Sequence, residues 1–587
     1  MQKEMKRSIT ILTSFLLCLN HFSMPTTAEE ENVPEATEAP VTEVIDDESV
    51  EEEIIEITEE TEAEDEESID TIITDDLDFE ISEDLDIQEH EVFSSFTVDN
   101  FTFSTLYDQD NGVELSKYTG NDSVVTIPST AEGKTVAKIG KNAFKDSINL
   151  TEVNIPSTIR IIDEYAFSGC SNLQTVLIPD GVEEIGYGAY AGCNSVNKII
   201  VPDSLKKMDG FGSCDNIKTA GPLGSNSDYE FGWETAIPAF AFTGLDYLAE
   251  VELPDTIAQI GGGAFTSCES LSEIIIPDNV NEIGFEAFMF CKALKSIIIP
   301  DNVETIEGSA FAYCDSLETV VIGKKVTSIP DDCFIQDKAL VSVDCSDNLQ
   351  IIGNSAFSQC SQLQTANIGT GIKQIGSSAF SSCESLESII LPDSLESIGD
   401  YAFYYCQNLT EVVLSEGIVN IGECAFEYCP ISELKIPNSV VSIGNQAFAH
   451  NGKLATLRIG KSVTTIGNET FYGAFGGYAG FTIYLPVSLK TIGENAFGST
   501  GANMTTVLYS GSEDEWNEIQ VAEGNELLMN ARKIVFDYEP EEPEDPEEPG
   551  EEEDTLLQKS GMFVFDSPAM GRLACFAPNI LTISCSC

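Results

Sequence analysis

An aromatic anchor recurs through the middle of the chain, at Phe144, Phe167, Tyr190, Phe211, Phe242, Phe265, Phe288, Phe311, Phe334, Phe357, Phe380, Phe403, Phe426, Phe448, Phe471 and Phe497. From Phe242 to Phe426 every step is 23 residues. A unit this short cannot bury its own apolar face, so each unit must lean on its neighbours. The 587 residues would otherwise imply several separate domains. Here the middle of the chain is one stack of short turns.

One unit can be read from Leu271. Leu271, Ile274 and Ile276 are spaced for a strand with one apolar side. Pro277 and Asp278 end it, since proline supplies no ladder donor. Val280 and Ile283 begin a second extended piece, and Gly284 allows a tight turn. Glu286 to Lys292 fits one or two helical turns, with Ala287, Phe288 and Cys291 on one face. Leu294 then restarts the cycle. Stacking such units sets equivalent strands about 4.8 Å apart. The expected fold is an α/β solenoid, a right-handed leucine-rich repeat stack of about 16 units with period 23. Two steps break the period. Phe211 to Phe242 spans 31 residues and contains Tyr229, Phe231 and Trp233. Phe471 to Phe497 spans 26 and contains Tyr472, Phe475, Tyr478 and Phe481. Insertions in solenoids bulge out as loops, often on the binding face.

Charge divides the rest of the chain. The net charge is −72, and residues 29–92 hold 30 Asp and Glu with no Lys or Arg. That segment reads as an extended acidic spacer. Residues 539–554 hold 11 more acidic residues among prolines and read as a stiff linker. The body between them is still acidic. This argues against phosphate-backbone binding and against adsorption to anionic lipid. Residues 1–28 read as a secretory signal, with Lys3, Lys6 and Arg7 before an apolar run and small residues near Ala28. Lipidation at Cys18 is disfavoured by the bulk of Leu17, and a spanning helix by length. Residues 93–135 are expected to cap the first repeat, 136–498 to form the solenoid, and 499–538 to cap its end. Residues 555–587 resemble nothing assignable: a small docking tail, or the product of a shifted reading frame.

The string Ile283-Gly-Phe-Glu-Ala-Phe-Met-Phe-Cys-Lys-Ala-Leu-Lys-Ser-Ile-Ile-Ile-Pro300 resembles the BspA-type (Treponema-type) leucine-rich repeat. The same pattern returns at Ile375-Gly, Ala379-Phe380, Cys383, Leu386, Ile389 and Leu391-Pro392, and again from Ile398 to Leu409. The segment from Tyr509 to Trp516 also resembles the ending that often follows such repeats in anaerobic Firmicutes. The resemblance implies a secreted or surface-exposed bacterial protein that adheres to matrix proteins, epithelial cells or other bacteria. It brings no catalytic residues and no cofactor. Surface-anchored relatives carry a sorting signal, and no Leu-Pro-x-Thr-Gly motif, dockerin loop or C-terminal span is found here.

Candidate chemistry is sparse. Ten cysteines sit three residues after the anchor, from Cys170 to Cys429. A secreted chain invites a disulfide reading, and neighbouring rungs bring Cα atoms near disulfide range. The same place accepts Asp337 or Asn451, so packed free thiols are the expectation. Three histidines (His21, His90 and His450) leave little for a metal site or a nucleophile–base pair. No enzyme is expected. The outward strand positions are more informative. Ile275, Ile298 and Val321 fall on successive rungs and should form an apolar ribbon on an open sheet. Ile390 and Val413 continue the column, which turns basic at Lys435 and Arg458 and could orient a partner. β-branched residues also simply suit strands. Tyr229, Phe231 and Trp233 are the residue types of binding hot spots, or they fold back to plug the irregular repeat.

The function these features support is adhesion or protein–protein interaction, with an extracellular protein or cell-surface ligand as partner. No nucleic-acid partner and no membrane insertion of the mature chain are expected. Two alternatives remain. One is a structural envelope or biofilm element that binds its own kind. The other is a non-catalytic targeting module of a glycan-degrading system, for which no flat aromatic platform is evident.

Overall fold

The computed structural model describes residues 95–106, 112–475, 481–498 and 506–539. The expected signal, the acidic spacer, the linker beyond Glu539 and the tail lie outside these residues. The described chain is a parallel β-solenoid of about 18 turns with a period of about 23 and little helix. Each turn has a longer strand, a short strand and a connecting run of turns.

The longer strands carry the alternation expected of a half-buried sheet. Ser296–Ile298, Thr319–Val321, Ser342–Asp344 and Thr365–Asn367 pair in parallel, so Ile297 lies beside Val320, Val343 and Ala366 in turn. Ile297 and Ile299 are buried while Ile298 points out. The strand ends at Pro300, whose carbonyl accepts from Val303 N at 3.1 Å. Short two-residue strands follow, most with a buried Ile. Nine of them, from Ser328–Ile329 to Gln520–Val521, make one continuous sheet.

The third stretch is not the helical turn its spacing suggested. Glu286 and Phe290 sit in the left-handed region, with φ of 55° and 61°. The amides alternate in direction. Ala287, Met289 and Cys291 donate within the rung, to Gly284, Glu286 and Phe288 carbonyls at 3.1–3.2 Å. Glu286, Phe288 and Phe290 donate to the next rung, to Gly308, Ala310 and Ala312 carbonyls at 2.7–3.1 Å. A helix keeps its amides inside one segment; here half of them form a third inter-rung ladder. The same two left-handed places recur along the stack, for example at Ser355 and Gln359 or Tyr401 and Tyr405. No Val, Ile or Thr occupies a left-handed position among the described residues, as steric crowding at Cβ requires. Gly284 has a different reason from the tight turn expected. Its φ is ordinary, but a Cβ there would lie 2.5 Å from Gly262 N on the adjacent rung.

Anchor rings stack along the whole core. Centroids of successive anchors lie 4.8 Å apart at Phe144 and Phe167 and 5.7 Å apart at Phe448 and Phe471. The column is interrupted once, between Phe211 and Phe242, and the inserted aromatics fill the break. Tyr229–Phe231 forms an extra strand, parallel to Lys198–Val201 on one side and Thr219–Pro222 on the other. Tyr229 meets Phe211 edge-on at 5.7 Å and Phe242 at 5.0 Å. Tyr229, Phe231 and Trp233 are 0, 1 and 3 % exposed. They are therefore core residues and not a projecting binding loop, because the longer repeat leaves a gap that only large rings fill. Trp233 Nε1 donates to Leu205 O at 3.2 Å. At the second insertion Phe475 and Phe481 are also buried, their rings 4.0 Å apart. Tyr478 lies outside the described residues.

The strand expected at Leu271–Ile276 has the predicted facing, with Leu271, Ile274 and Ile276 buried, but no ladder. Long-strand pairing stops at Glu250–Val251, just past the inserted strand, and resumes at Ser296. At the N-terminal end Ser95–Val98 and Phe101–Thr105 form an antiparallel hairpin. Gly112–Tyr118 carries it onto Lys134–Ile139 and the short-strand sheet. At the other end Thr506–Tyr509 and Ile534–Val535 extend the long-strand side. A helix, Glu513–Asn517, starts with a capping box between Ser512 and Glu515 and sets Trp516 against Tyr509.

The left-handed columns give a direct test. Ser355, with φ of 53°, replaced by Val should destabilise the stack by about 1–2 kcal/mol, whereas Ser355→Gly should be neutral or stabilising by up to about 1 kcal/mol. Urea midpoints of the two variants would show this, and equal effects would remove the steric account.

Candidate interaction surface

The outward column of the long strands is open. Ile275, Ile298 and Val321 are 85, 67 and 41 % exposed, and Ile390 and Val413 are 80 and 69 %. Val321 lies directly beside Ile298 in the ladder, and Val413 beside Ile390. Ile275 falls on the preceding rung without strand pairing. The ribbon is therefore two apolar patches. Between them Asn367 Nδ2 donates to Asp344 Oδ1 at 2.6 Å, a polar rung pair.

The basic end of the column makes contacts within the chain. Lys435 Nζ lies 3.7 Å from Glu416. Arg458 packs its guanidinium 3.7 Å from the centre of the Tyr484 ring. Both are exposed side chains already matched by this chain, because each stacks above or beside a complementary neighbour.

The cysteine column is buried and free. All thirteen described cysteines are buried thiols. In most rungs Sγ–H points at the anchor carbonyl of the preceding rung, as from Cys383 to Phe357 O and Cys406 to Phe380 O, both 3.2 Å. Burial pushes the Cys170 thiol up to about 12 and the Cys383 thiol well above its usual value. They are donors and small apolar fillers, with no thiolate for chemistry. Asn451 keeps the pattern with an amide, donating to Phe426 O at 3.3 Å and Phe448 O at 2.7 Å. Asp337 does not. Its Oδ1 accepts from Cys314 N at 2.7 Å, while the buried Oδ2 has no partner. Burial drives its carboxyl well above the carboxylate range. As a neutral acid, its O–H can take the donor role of the missing thiol.

No catalytic pairing emerges among the described residues. His450 is stacked on Tyr428, rings 4.6 Å apart and 8° from parallel, and meets Tyr472 edge-on at 5.4 Å. A shallow polar concavity of about 570 Å³ lies over Lys324, Lys325, Asp347 and Lys373. Lys324 and Lys325 are already paired with Asp301 and Glu304. Among the described residues no group of three His, Cys, Asp or Glu side chains is arranged for a metal. No described helix is long and apolar enough to cross a membrane.

One surface escaped the sequence reading. On the run of turns, Tyr401, Tyr404, Tyr405, Tyr428, His450 and Tyr472 form a continuous aromatic ledge over four rungs. Tyr404 lies 5.8 Å from Tyr401, and Tyr404 and Tyr405 each lie 5.9 Å from Tyr428. Tyr401, Tyr405 and Tyr428 are 40, 36 and 38 % exposed. The signal was present as tyrosines one and two residues after the anchor on adjacent rungs. It becomes visible only when those places are known to lie side by side outside the core.

Comparison with known proteins agrees with this architecture. The model of the BspA type leucine rich repeat region matches residues 121–222, 234–341, 327–451 and 396–518. That is more than half of the chain, and the protein belongs to this family of leucine-rich repeat proteins. No curated protein matches it. Among solved structures, it is similar to a leucine-rich cell surface protein of Faecalibacterium prausnitzii, at 23 % identity over 73 % of this chain and 98 % of that one, TM-score 0.36. A leucine-rich repeat protein of Bacteroides ovatus matches at 24 % identity over 66 % and 99 %, TM-score 0.37. The pneumococcal vaccine antigen PcpA matches at 18 % over 76 % and 100 %, TM-score 0.35.

Asp337 predicts a pH signature. A carboxyl raised on folding stabilises fully below its unfolded pKa of about 4, and that contribution falls as pH rises toward the folded value. Asp337→Asn supplies the amide donor that Asn451 already uses. Relative to the parent, the variant should gain about 1–3 kcal/mol at pH 7 and progressively less toward pH 4. Urea midpoints of both proteins across this range measure the gain. A gain independent of pH would show that Asp337 is not a buried acid.

Proposed function

We propose that this protein is a secreted or surface-associated bacterial interaction protein that holds an extracellular protein partner on the open face of its long-strand sheet, in the manner of an adhesin. The observation that carries this reading is the pair of apolar patches, Ile298 with Val321 and Ile390 with Val413, with Ile275 beyond the first. Isoleucine exposed this far is costly in water, and contiguous apolar surface on a soluble domain marks contact sites. The solenoid supports the reading physically. Its ladders hold the patches in fixed register across several rungs, so little conformational entropy is lost on binding. The polar pair Asp344 and Asn367 between the patches offers hydrogen-bonding groups, the usual partner of an apolar contact core.

The expected signal at 1–28 supports export, and the acidic spacer 29–92 would hold the stack away from whatever surface retains it. Burial of the cysteines and the solitary His450 give no support to an enzymatic role.

The test is binding of the full chain to immobilised matrix proteins and to bacterial and epithelial surfaces, beside an Ile275/Ile298/Ile390→Asp triple variant. The variant should keep its melting temperature within a few degrees, since all three side chains project into water, and should lose binding at least about tenfold. Undiminished binding by a folded triple variant would remove the sheet face as the contact site. Binding only to itself would favour a structural role in the envelope.

A further inference from the structure

The aromatic ledge contains an unneutralised charge. Glu427 lies between Tyr404 and Tyr428 on the run of turns and is only 8 % exposed. Elsewhere in the stack, several acidic side chains are met by a lysine one rung away. Lys141 pairs with Glu164, Lys206 with Glu183, Lys292 with Glu269 and Lys324 with Asp301. The neighbours of Glu427 at the same place on adjacent rungs are Tyr404 and Ala449, and neither is a cation. Its carboxylate makes no ion pair among the described residues. The Cys424 thiol beside it donates to Gln446 Oε1 at 3.3 Å, and is raised to about 12 by burial and then by Glu427. Its charge reaches the rings as well. Tyr404 is raised by burial and then by Glu427. The residue is largely covered and no cation of this chain stands against it among the described residues, so a cation that arrives from outside would be the first to pair with it.

The surroundings suit such a cation. Tyrosine faces attract ammonium and guanidinium groups, and this chain already uses the contact where Arg458 covers Tyr484. Asp400, Glu423 and Glu469 lie on the same run of turns, and no Lys or Arg occurs in 399–406, 422–429, 444–451 or 467–473. The rings do not offer a flat face to a sugar: Tyr404 and Tyr428 meet at 89°, Tyr405 and Tyr428 at 66°.

We propose that the ledge around Glu427, formed by Tyr401, Tyr404, Tyr405, Tyr428 and His450, is a second docking surface that receives a lysine or arginine side chain from a basic segment of a partner protein. It lies on the run of turns and not on the long-strand sheet, and it stands or falls independently of contacts made through Ile298 and Ile390.

The experiment uses the full chain and a readout local to the ledge, because the acidic segments will attract any basic peptide loosely. Tyrosine nitration by tetranitromethane is followed by peptide mass spectrometry at about 0.15 M salt, with and without a Gly/Ser peptide carrying several Lys and Arg residues. The basic peptide should slow nitration of Tyr405 and Tyr428 about tenfold, as expected for a contact worth between 1 and 2 kcal/mol, and leave Tyr313, on a distant rung, unchanged. In Glu427→Gln the protection should vanish while nitration without peptide stays as in the parent. Tyr405→Ser, a residue the chain itself uses at the equivalent Ser382, serves as a second variant should Glu427→Gln unfold. It should weaken protection of Tyr428. Absence of protection, equal protection in Glu427→Gln, or equal protection by a Gln-substituted peptide or by cellohexaose would each overturn the proposal. The last result would point to a neutral ligand instead.

Discussion

Everything in this structure follows from the spacing that parallel backbone ladders impose on successive turns. Three ladders run along most of the stack: the long strand, the short strand and the left-handed turns. Each fixes the next copy of the chain about 4.8 Å away. A side chain therefore spends its folded life against its own equivalents. Aromatic rings at about 5 Å are near their preferred offset stacking distance, a contact that adds about 0.5–1.5 kcal/mol per pair beyond burial. This accounts for a Phe at nearly every anchor. It also accounts for how an irregular repeat is tolerated. When the step from Phe211 to Phe242 lengthens, Tyr229 enters the column edge-on, so the core remains continuous.

The same spacing governs polar groups. A buried donor must find its acceptor one rung back, and the thiols of Cys383 and Cys406 do so at the anchor carbonyls. Asn451 substitutes for them with an amide, and Asp337 can do so only in its neutral form. On the surface the rule becomes electrostatic. Ion pairs such as Lys206 with Glu183 join equivalent rungs. With 28 Lys and Arg against 100 Asp and Glu, most acidic side chains stack over neutral neighbours and remain in water. Glu427 differs because it lies largely covered among rings, with no cation against it among the described residues.

Much of this was legible in the sequence. The period and the anchors fixed the stack, its inward residues and the outward column from Ile275 to Val413. The segment Glu286–Lys292 misled because Ala287, Phe288 and Cys291 fit helical spacing and a ladder of left-handed turns equally well. The discriminating sign was the absence of Val, Ile and Thr at the places of Glu286 and Phe290 in every rung. Tyr229, Phe231 and Trp233 could have projected or plugged, since the number of residues in an insertion does not say where its rings go. Their alternation suits a strand, and the gap in the ring column decides that the strand lies inside. Lys435 and Arg458 looked like free charges because their partners, Glu416 and Tyr484, lie at unequal distances along the chain.

A periodic surface has a consequence for recognition. Copies of one residue along a column present the same chemistry at every rung, and a partner sliding along them gains no register. Specific contact must therefore come from departures from the repeat. The open sheet departs where Asp344 and Asn367 divide two apolar patches, which fixes where a partner can sit along the column. The run of turns departs where serines at Ser378 and Ser382 give way to Tyr401 and Tyr405, and where a carboxylate enters among the rings. The ladders that make the stack uniform also hold these exceptions in fixed positions, and that rigidity is what lets a solenoid without a single central core discriminate between partners.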